Sequence, residues 1–160
     1  MYNFERTDDN IKKLAKKKWD SIAKPIDSLG EFENLFIKIA AIKGNVTIKN
    51  KTMVVFCSDN GVVAEGVTQT DSSVTTIVAN NIPKGVATIS KLSGACGAKA
   101  IAVDVGINGD TPKGVLNYKV SKGTNNIANG PAMTKEQMMQ AINAGIDVVK
   151  NLKDKTDYLW

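Results

Sequence analysis

Apolar positions recur at three- and four-residue intervals over the first 44 residues. Ile11, Leu14, Ala15 and Trp19 form one stripe, and Lys12, Lys13, Lys16, Lys17 and Lys18 fall opposite it. That pattern predicts an amphipathic helix, capped by Asp8 or Asp9 and running to about Ala23. Pro25 stops it and pushes Lys24 toward extended geometry. Ser28, with Glu31 three residues on, has the spacing of a capping box. A second helix should follow, with Leu29, Phe32, Leu35, Phe36 and Ile39 on its inner face and Gly44 at its end.

The periodicity then changes. Residues 52–57 are a short, continuous apolar run, read as a strand buried on both faces. Ser58-Asp59-Asn60-Gly61 breaks it, and 61–70 has no strong period. Asp71 or Ser72 can cap a helix through about Asn81. A further helix is expected over 86–95, with Ile89 and Leu92 inward and Cys96-Gly97 closing it. Residues 99–105, before Gly106, read as a second buried strand, and 115–120 as a third. Thr134 and Gln137 form a capping box for the clearest helix, with Met138, Ala141, Ile142, Ile146 and Val149 along one side. Asp157 to Trp160 begins another apolar run, expected to lack a partner within the chain. Strands alternating with helices imply an α/β fold: a three-layer, mostly parallel, Rossmann-like sheet. Residues 1–44 are expected to form a small helical subdomain. Residues 45–160 would be the first part of an α/β domain, incomplete at its carboxyl end.

Ligands of such sheets sit beyond the carboxyl ends of the strands. Asp59, Asn60 and Gly61 follow one strand, and Asp104 and Gly106 close another, so both loops are candidates for function. A strand-end aspartate is as often a turn or cap residue.

Composition narrows the chemistry. The net charge of +5 owes much to the lysines near the amino end. No arginine or aromatic residue interleaves them and no nucleic-acid motif accompanies them, so a solvated helix face is favoured over nucleic-acid binding. No apolar run could span a bilayer and no secretory leader is evident, which makes a cytoplasmic setting the expectation. The chain has no histidine, and its two cysteines, Cys57 and Cys96, lie far apart. This argues against a metal site and excludes imidazole catalysis; both thiols are expected to be reduced and mostly buried. No GxGxxG follows a strand and no P-loop is present, so no cofactor is expected.

Several segments carry a resemblance. Lys24-Pro25-Ile26-Asp27-Ser28-Leu29-Gly30-Glu31-Phe32-Glu33 is similar to a KPxGSLGxLE pattern. Val54 through Val67, with Ser58-Asp59-Asn60-Gly61 and Glu65-Gly66-Val67, is similar to VVFxADHGVxxEGV. Val74-Thr75 through Asn81 and Gly85 follow VTxxMxxNxxxG. Val103-Asp104-Val105-Gly106-Ile107, Gly123-Thr124-Asn125-Asn126-Ile127 and Gly130-Pro131-Ala132-Met133-Thr134 follow VDVGI, GTxNI and GPAMT. In this order and spacing they resemble the amino-terminal part of the nicotinate-nucleotide:dimethylbenzimidazole phosphoribosyltransferase family.

The resemblance implies transfer of ribose 5-phosphate from nicotinate mononucleotide to a benzimidazole-type base, giving nicotinate and an α-riboside phosphate for a cobamide lower ligand. The implied assembly is a homodimer. Thr70, Val74, Val78 and Met133 are the candidate walls of the base pocket, with Asp59, Asn60, Gly61, Asp104, Gly106 and Gly130 in the surrounding loops. Core packing is the competing reading for Val74 and Val78, and a helix-preceding contact for Met133. Glu65 is expected to pair with backbone N–H groups rather than to act as a base. The family's phosphate loop and catalytic glutamates are expected beyond Trp160, so no catalytic residue is assigned and this stretch is expected to be inactive alone. Asn60 stands where the family usually has histidine, Asp71 where proline is frequent, and Val78 where a longer side chain is usual; these changes bear on the accepted base. The alternatives are a non-catalytic small-molecule binding module and an interaction protein.

Overall fold

The computed structural model describes residues 7–160, and the chain divides into two compact units between Lys49 and Asn50. In the first, helix α1 spans Asp9–Asp20 and helix α2 spans Glu31–Lys43. The Asp8 carboxylate accepts the free N–H groups of Asn10 and Ile11, as an N-cap should. The helix stops short of the expected Ala23. The Ser21 hydroxyl donates to the Lys18 carbonyl at 2.7 Å, and Ile22 N–H donates to Trp19, tightening the last turn.

α2 begins at Glu31, and the expected Ser28–Glu31 box does not form, because 27–30 is a turn. Asp27 sits at φ 54° and Gly30 at φ 56°. The residue at the third helical position is therefore Glu33, whose Oε1 accepts Leu29 N–H and lies 2.7 Å from Lys24 Nζ. The buried face also differs from the predicted stripe. Glu33, Ala40 and Ala41 are buried, whereas Leu29, Phe32, Leu35 and Phe36 are exposed. Gly44, at φ 71°, ends the helix as expected.

The second unit is an α/β layer built on a four-stranded parallel sheet of order β3-β2-β1-β4. β1 is Lys51–Ser58, β2 Ala98–Gly106, β3 Leu116–Asn117 and β4 Tyr158–Leu159. Val55 of β1 lies opposite Ala102 of β2. A short 3-10 helix, Gly61–Glu65, occupies part of what reads as a loop, and α3 (Ser73–Asn81) and α4 (Thr88–Ala95) complete the crossover to β2. On one sheet face Cys57 and Ala102 pack with Ala79, Ile82, Ile107 and Val115, bordered by Val55 and Ile89. Two small alanines here let the helices approach closely.

Several details depart from the pattern. β1 is not buried on both faces: Thr52 and Cys57 are buried, but Phe56 is exposed. Leu92 is exposed too, because α4 turns inward along Ile89 and Ser93, four residues apart. Cys96 is exposed while Cys57 is buried. The third strand shrinks to two residues, although Tyr118 and Val120 still donate to β2 carbonyls. α5, Lys135–Leu152, keeps its Thr134–Gln137 capping box but buries Ala144 and Val148; Met138, Ile142 and Val149 are exposed. The run at 157–160 does find a partner. It pairs with the start of β1, where Trp160 N–H donates to Thr52 and Val54 N–H donates to Trp160.

Successive strands β1, β2 and β3 step outward in one direction, and β4 returns to the other side of β1. The order therefore reverses at β1, which is where open α/β sheets form a ligand crevice at their strand ends.

Candidate functional site

Two buried aspartates order the loops beyond the carboxyl ends of β1 and β2, and one of them, Asp59, ties the two loops together. Asp59 N–H donates to Gly106 at 2.9 Å, its Oδ2 accepts Asn108 N–H at 2.7 Å, and its carbonyl accepts Thr124 N–H at 3.0 Å. One residue thus holds three segments in register. Asp104 is fully buried. Its Oδ1 accepts the N–H groups of Gly106 and Ile107, and its Oδ2 accepts the Thr111 hydroxyl at 2.6 Å and pairs with Lys119 Nζ at 3.1 Å. Burial alone would raise this carboxyl, but Thr111, Ile107 and Lys119 together outweigh it and hold it below the ordinary carboxylate range. Both aspartates organise turns.

Gly61 is fixed by close approach. A Cβ there would lie 2.6 Å from Thr124 O, Asn125 C and Asn126 N, and Gly61 N–H donates to the Thr124 hydroxyl. Gly106 is less confined, since a Cβ would crowd only the Ser58 Cβ, at 3.1 Å. Glu65 Oε1 accepts the Asn126 side-chain amide at 2.6 Å, so its partner is a side chain rather than the expected backbone.

These contacts seat a concavity of about 520 Å³ at the carboxyl end of β1. It brings together Asp59, Asn60, Thr70, Val74 and Val78 of the sequence-derived candidates. Val74 and Val78, one helical turn apart on α3, present an apolar wall and are both partly exposed. Asp104 is not among the lining residues, nor are Gly61, Gly106, Gly130 and Met133. Gly130 and Met133 lie on the loop joined by the Asn125 N–H bond to Ala132, and Met133 is exposed. The sequence reading missed Phe56, Val62 and Val67 as lining residues; Asp71, noted there for standing where proline is frequent, lines it too. Counting 52–57 as wholly buried hid Phe56, which emerges where the strand ends.

The two carboxylates in the concavity are engaged. Asp59 Oδ2 holds Asn108 N–H, while the hydroxyl and N–H of Ser73 hold Asp71 below the ordinary carboxylate value. No grouping of three or more cysteine, aspartate or glutamate side chains suited to a metal occurs among the described residues.

Residues 4–159 match a family model described as phosphoribosyltransferase. A Ruminiclostridium cellulolyticum protein named nicotinate-nucleotide–dimethylbenzimidazole phosphoribosyltransferase is 41% identical over 162 residues. The chain belongs to that family. The match covers 95% of this chain and 46% of that relative. A Clostridium perfringens protein of the same name is 40% identical, covering 97% of this chain and 44% of its own length. The crystal structure of the Thermus thermophilus family member superposes with a TM-score of 0.82 at 33% identity, over 95% of this chain and 48% of the other. The chain therefore spans less than half the length of these relatives. The Rossmann-like fold expected from the sequence is the fold of the family. No helix among the described residues is long and apolar enough to cross a membrane.

Proposed function

We propose that this chain forms the base-binding side of a cytoplasmic homodimeric enzyme that moves ribose 5-phosphate from nicotinate mononucleotide to dimethylbenzimidazole or a related base. A ring nitrogen attacks the anomeric carbon, the bond to nicotinate breaks with its electron pair leaving on nicotinate, and the second ring nitrogen gives up its proton. Such a displacement needs an apolar slot that holds the ring in line with the sugar carbon. The observation that carries the reading is the concavity at the strand-order reversal, with Val74 and Val78 on one wall and Asp59 and Asn60 at its rim. Thr70 adds to this lining, and Met133, outside it on the loop held by the Asn125 bond to Ala132, is the further proposed ring contact.

The proton acceptor is a separate matter. The reaction needs a free, positioned carboxylate, and the two that line the concavity each already accept backbone N–H groups. Residues 1–160 alone are therefore expected to release no nicotinate when mixed with nicotinate mononucleotide and dimethylbenzimidazole, as followed by chromatography. The base itself should bind weakly, shifting the amide resonances of Thr70, Val74, Val78 and Met133. Base-dependent nicotinate release would overturn the division of labour, and shifts confined to the lysine-rich α1 would overturn the placement of the ring.

Self-association is the second expectation. Ile26, Phe32 and Ile42 are 82%, 65% and 75% exposed. Each large apolar side chain kept in water forgoes about 1.5–3 kcal/mol of burial. β4 and Trp160 cover only the first half of β1, which leaves the Phe56 end of that edge without a strand neighbour among the described residues. Sedimentation over a concentration series should show a dimer growing in, and a monomer throughout would refute the homodimer.

A further inference from the structure

The sheet carries a second concavity at its other end. It holds about 560 Å³ and lies between α5 and the β2–β3 side of the sheet. Lys99, near the start of β2, and Lys155, just after α5, belong to the amino end of the strands, whereas Asp59 and Asn60 follow the carboxyl end of β1. Ile101, Val148 and Leu152 supply apolar lining, and the Tyr118 hydroxyl, 2.9 Å from the Asn151 amide, adds a polar group.

Two lysines at this cleft, Lys99 and Lys155, lack an ion-pair partner among the described residues. Two ammonium groups over an apolar cleft of this size match an organic anion with an apolar body. The number of negative charges follows from the helix. Asn151 and Leu152 are in the last turn of α5, whose exposed carbonyls carry the negative end of the helix dipole. A dianion such as a phosphate monoester meets more repulsion there than a monocarboxylate, and no helix N-terminus lines the cleft to favour phosphate.

We propose that this cleft is a binding site for a small monocarboxylate with an aromatic or branched aliphatic body, separate from the concavity at the carboxyl ends of the strands. The test uses 4-tert-butylbenzoate, its uncharged amide and phenyl phosphate, titrated into the isotope-labelled chain and read by amide shifts. The benzoate should move Tyr118, Asn151 and Leu152 and leave Thr70 and Val78 unchanged. Lys99→Gln with Lys155→Gln should weaken it about tenfold, the combined worth of two exposed charge contacts. Both lysines are exposed, so the double variant should fold. Leu116→Trp, at a partly exposed lining position, should fill the cleft and abolish the shifts. Equal binding of amide and benzoate, an unchanged affinity in the double variant, tighter binding of phenyl phosphate, or shifts centred on Thr70 to Val78 would each overturn the proposal.

Discussion

Gly61→Ala is expected to destabilise the α/β unit by about 3 kcal/mol, at the upper end of the usual cost of overpacking. The reason is geometric. The added Cβ would stand 2.6 Å from three backbone atoms of residues 124–126, and backbone cannot swing aside as a long side chain can. Relief would require the 123–126 loop to move away from Asp59, breaking the Thr124 N–H bond to the Asp59 carbonyl and the Gly61 bond to the Thr124 hydroxyl. The concavity should open in the same step, so binding of dimethylbenzimidazole should fall with stability. Gly66→Ala is the control. Gly66 sits at φ 69°, and a methyl added there would meet nothing within 4 Å, so its cost is backbone strain alone, about 1–2 kcal/mol. Urea midpoints decide the matter: a Gly61→Ala midpoint equal to the wild-type value would show that the two loops do not touch in solution.

Asp104→Ala should cost about 3–5 kcal/mol, the usual effect of removing one partner from a buried ion pair. The change takes the counter-ion from Lys119, which keeps only the Gly109 carbonyl as acceptor, and leaves the N–H groups of Gly106 and Ile107 without theirs. Asp104→Asn keeps an acceptor for those N–H groups but points an amide at Lys119 or Thr111, so it should rescue only part of the loss. The pH dependence provides an independent reading. The carboxyl is held below its ordinary value of 3.8, so its folded pKa lies under its unfolded one. Its stabilising contribution is therefore fully present above the unfolded value and is lost as pH falls through the folded value. Wild-type stability should decline as pH drops below about 4, and the decline should be shallower in Asp104→Ala. Urea titrations between neutral and acid pH would show this, and parallel slopes for the two proteins would sink the assignment.

Much of the architecture is legible in the pattern of residues. The Thr134–Gln137 capping box, the Gly44 stop and the Asp8 cap are local devices, in which side chain and backbone partners lie within four residues of each other. The continuous apolar runs mark β1 and β2, and their alternation with helices implies the parallel sheet. The loop motif at 58–61 points to the strand end where the concavity lies, whereas 103–107 marks the end of β2, outside its lining.

What the chain could not decide alone is which of several compatible stripes faces inward. α5 offers Met138, Ile142 and Val149 on one line and Ala144 and Val148 on another, and the second is buried. Periodicity fixes the angle between residues on a helix but leaves the helix free to rotate; the neighbouring surface chooses the face. The same holds for α2, where buried Glu33 finds Lys24 while Phe32 faces outward. The roles of the aspartates needed tertiary structure too. Asp59 and Asp104 look alike at two strand ends, but one reaches Asn108 and Thr124 at the rim of the concavity, and the other closes its own loop onto Thr111 and Lys119. Local sequence determined where the elements begin and end, because caps and breakers act over a few residues. Register, buried face and the meeting of Gly61 with residues 124–126, which lie 63 positions on at Thr124, were decided by packing between separate segments.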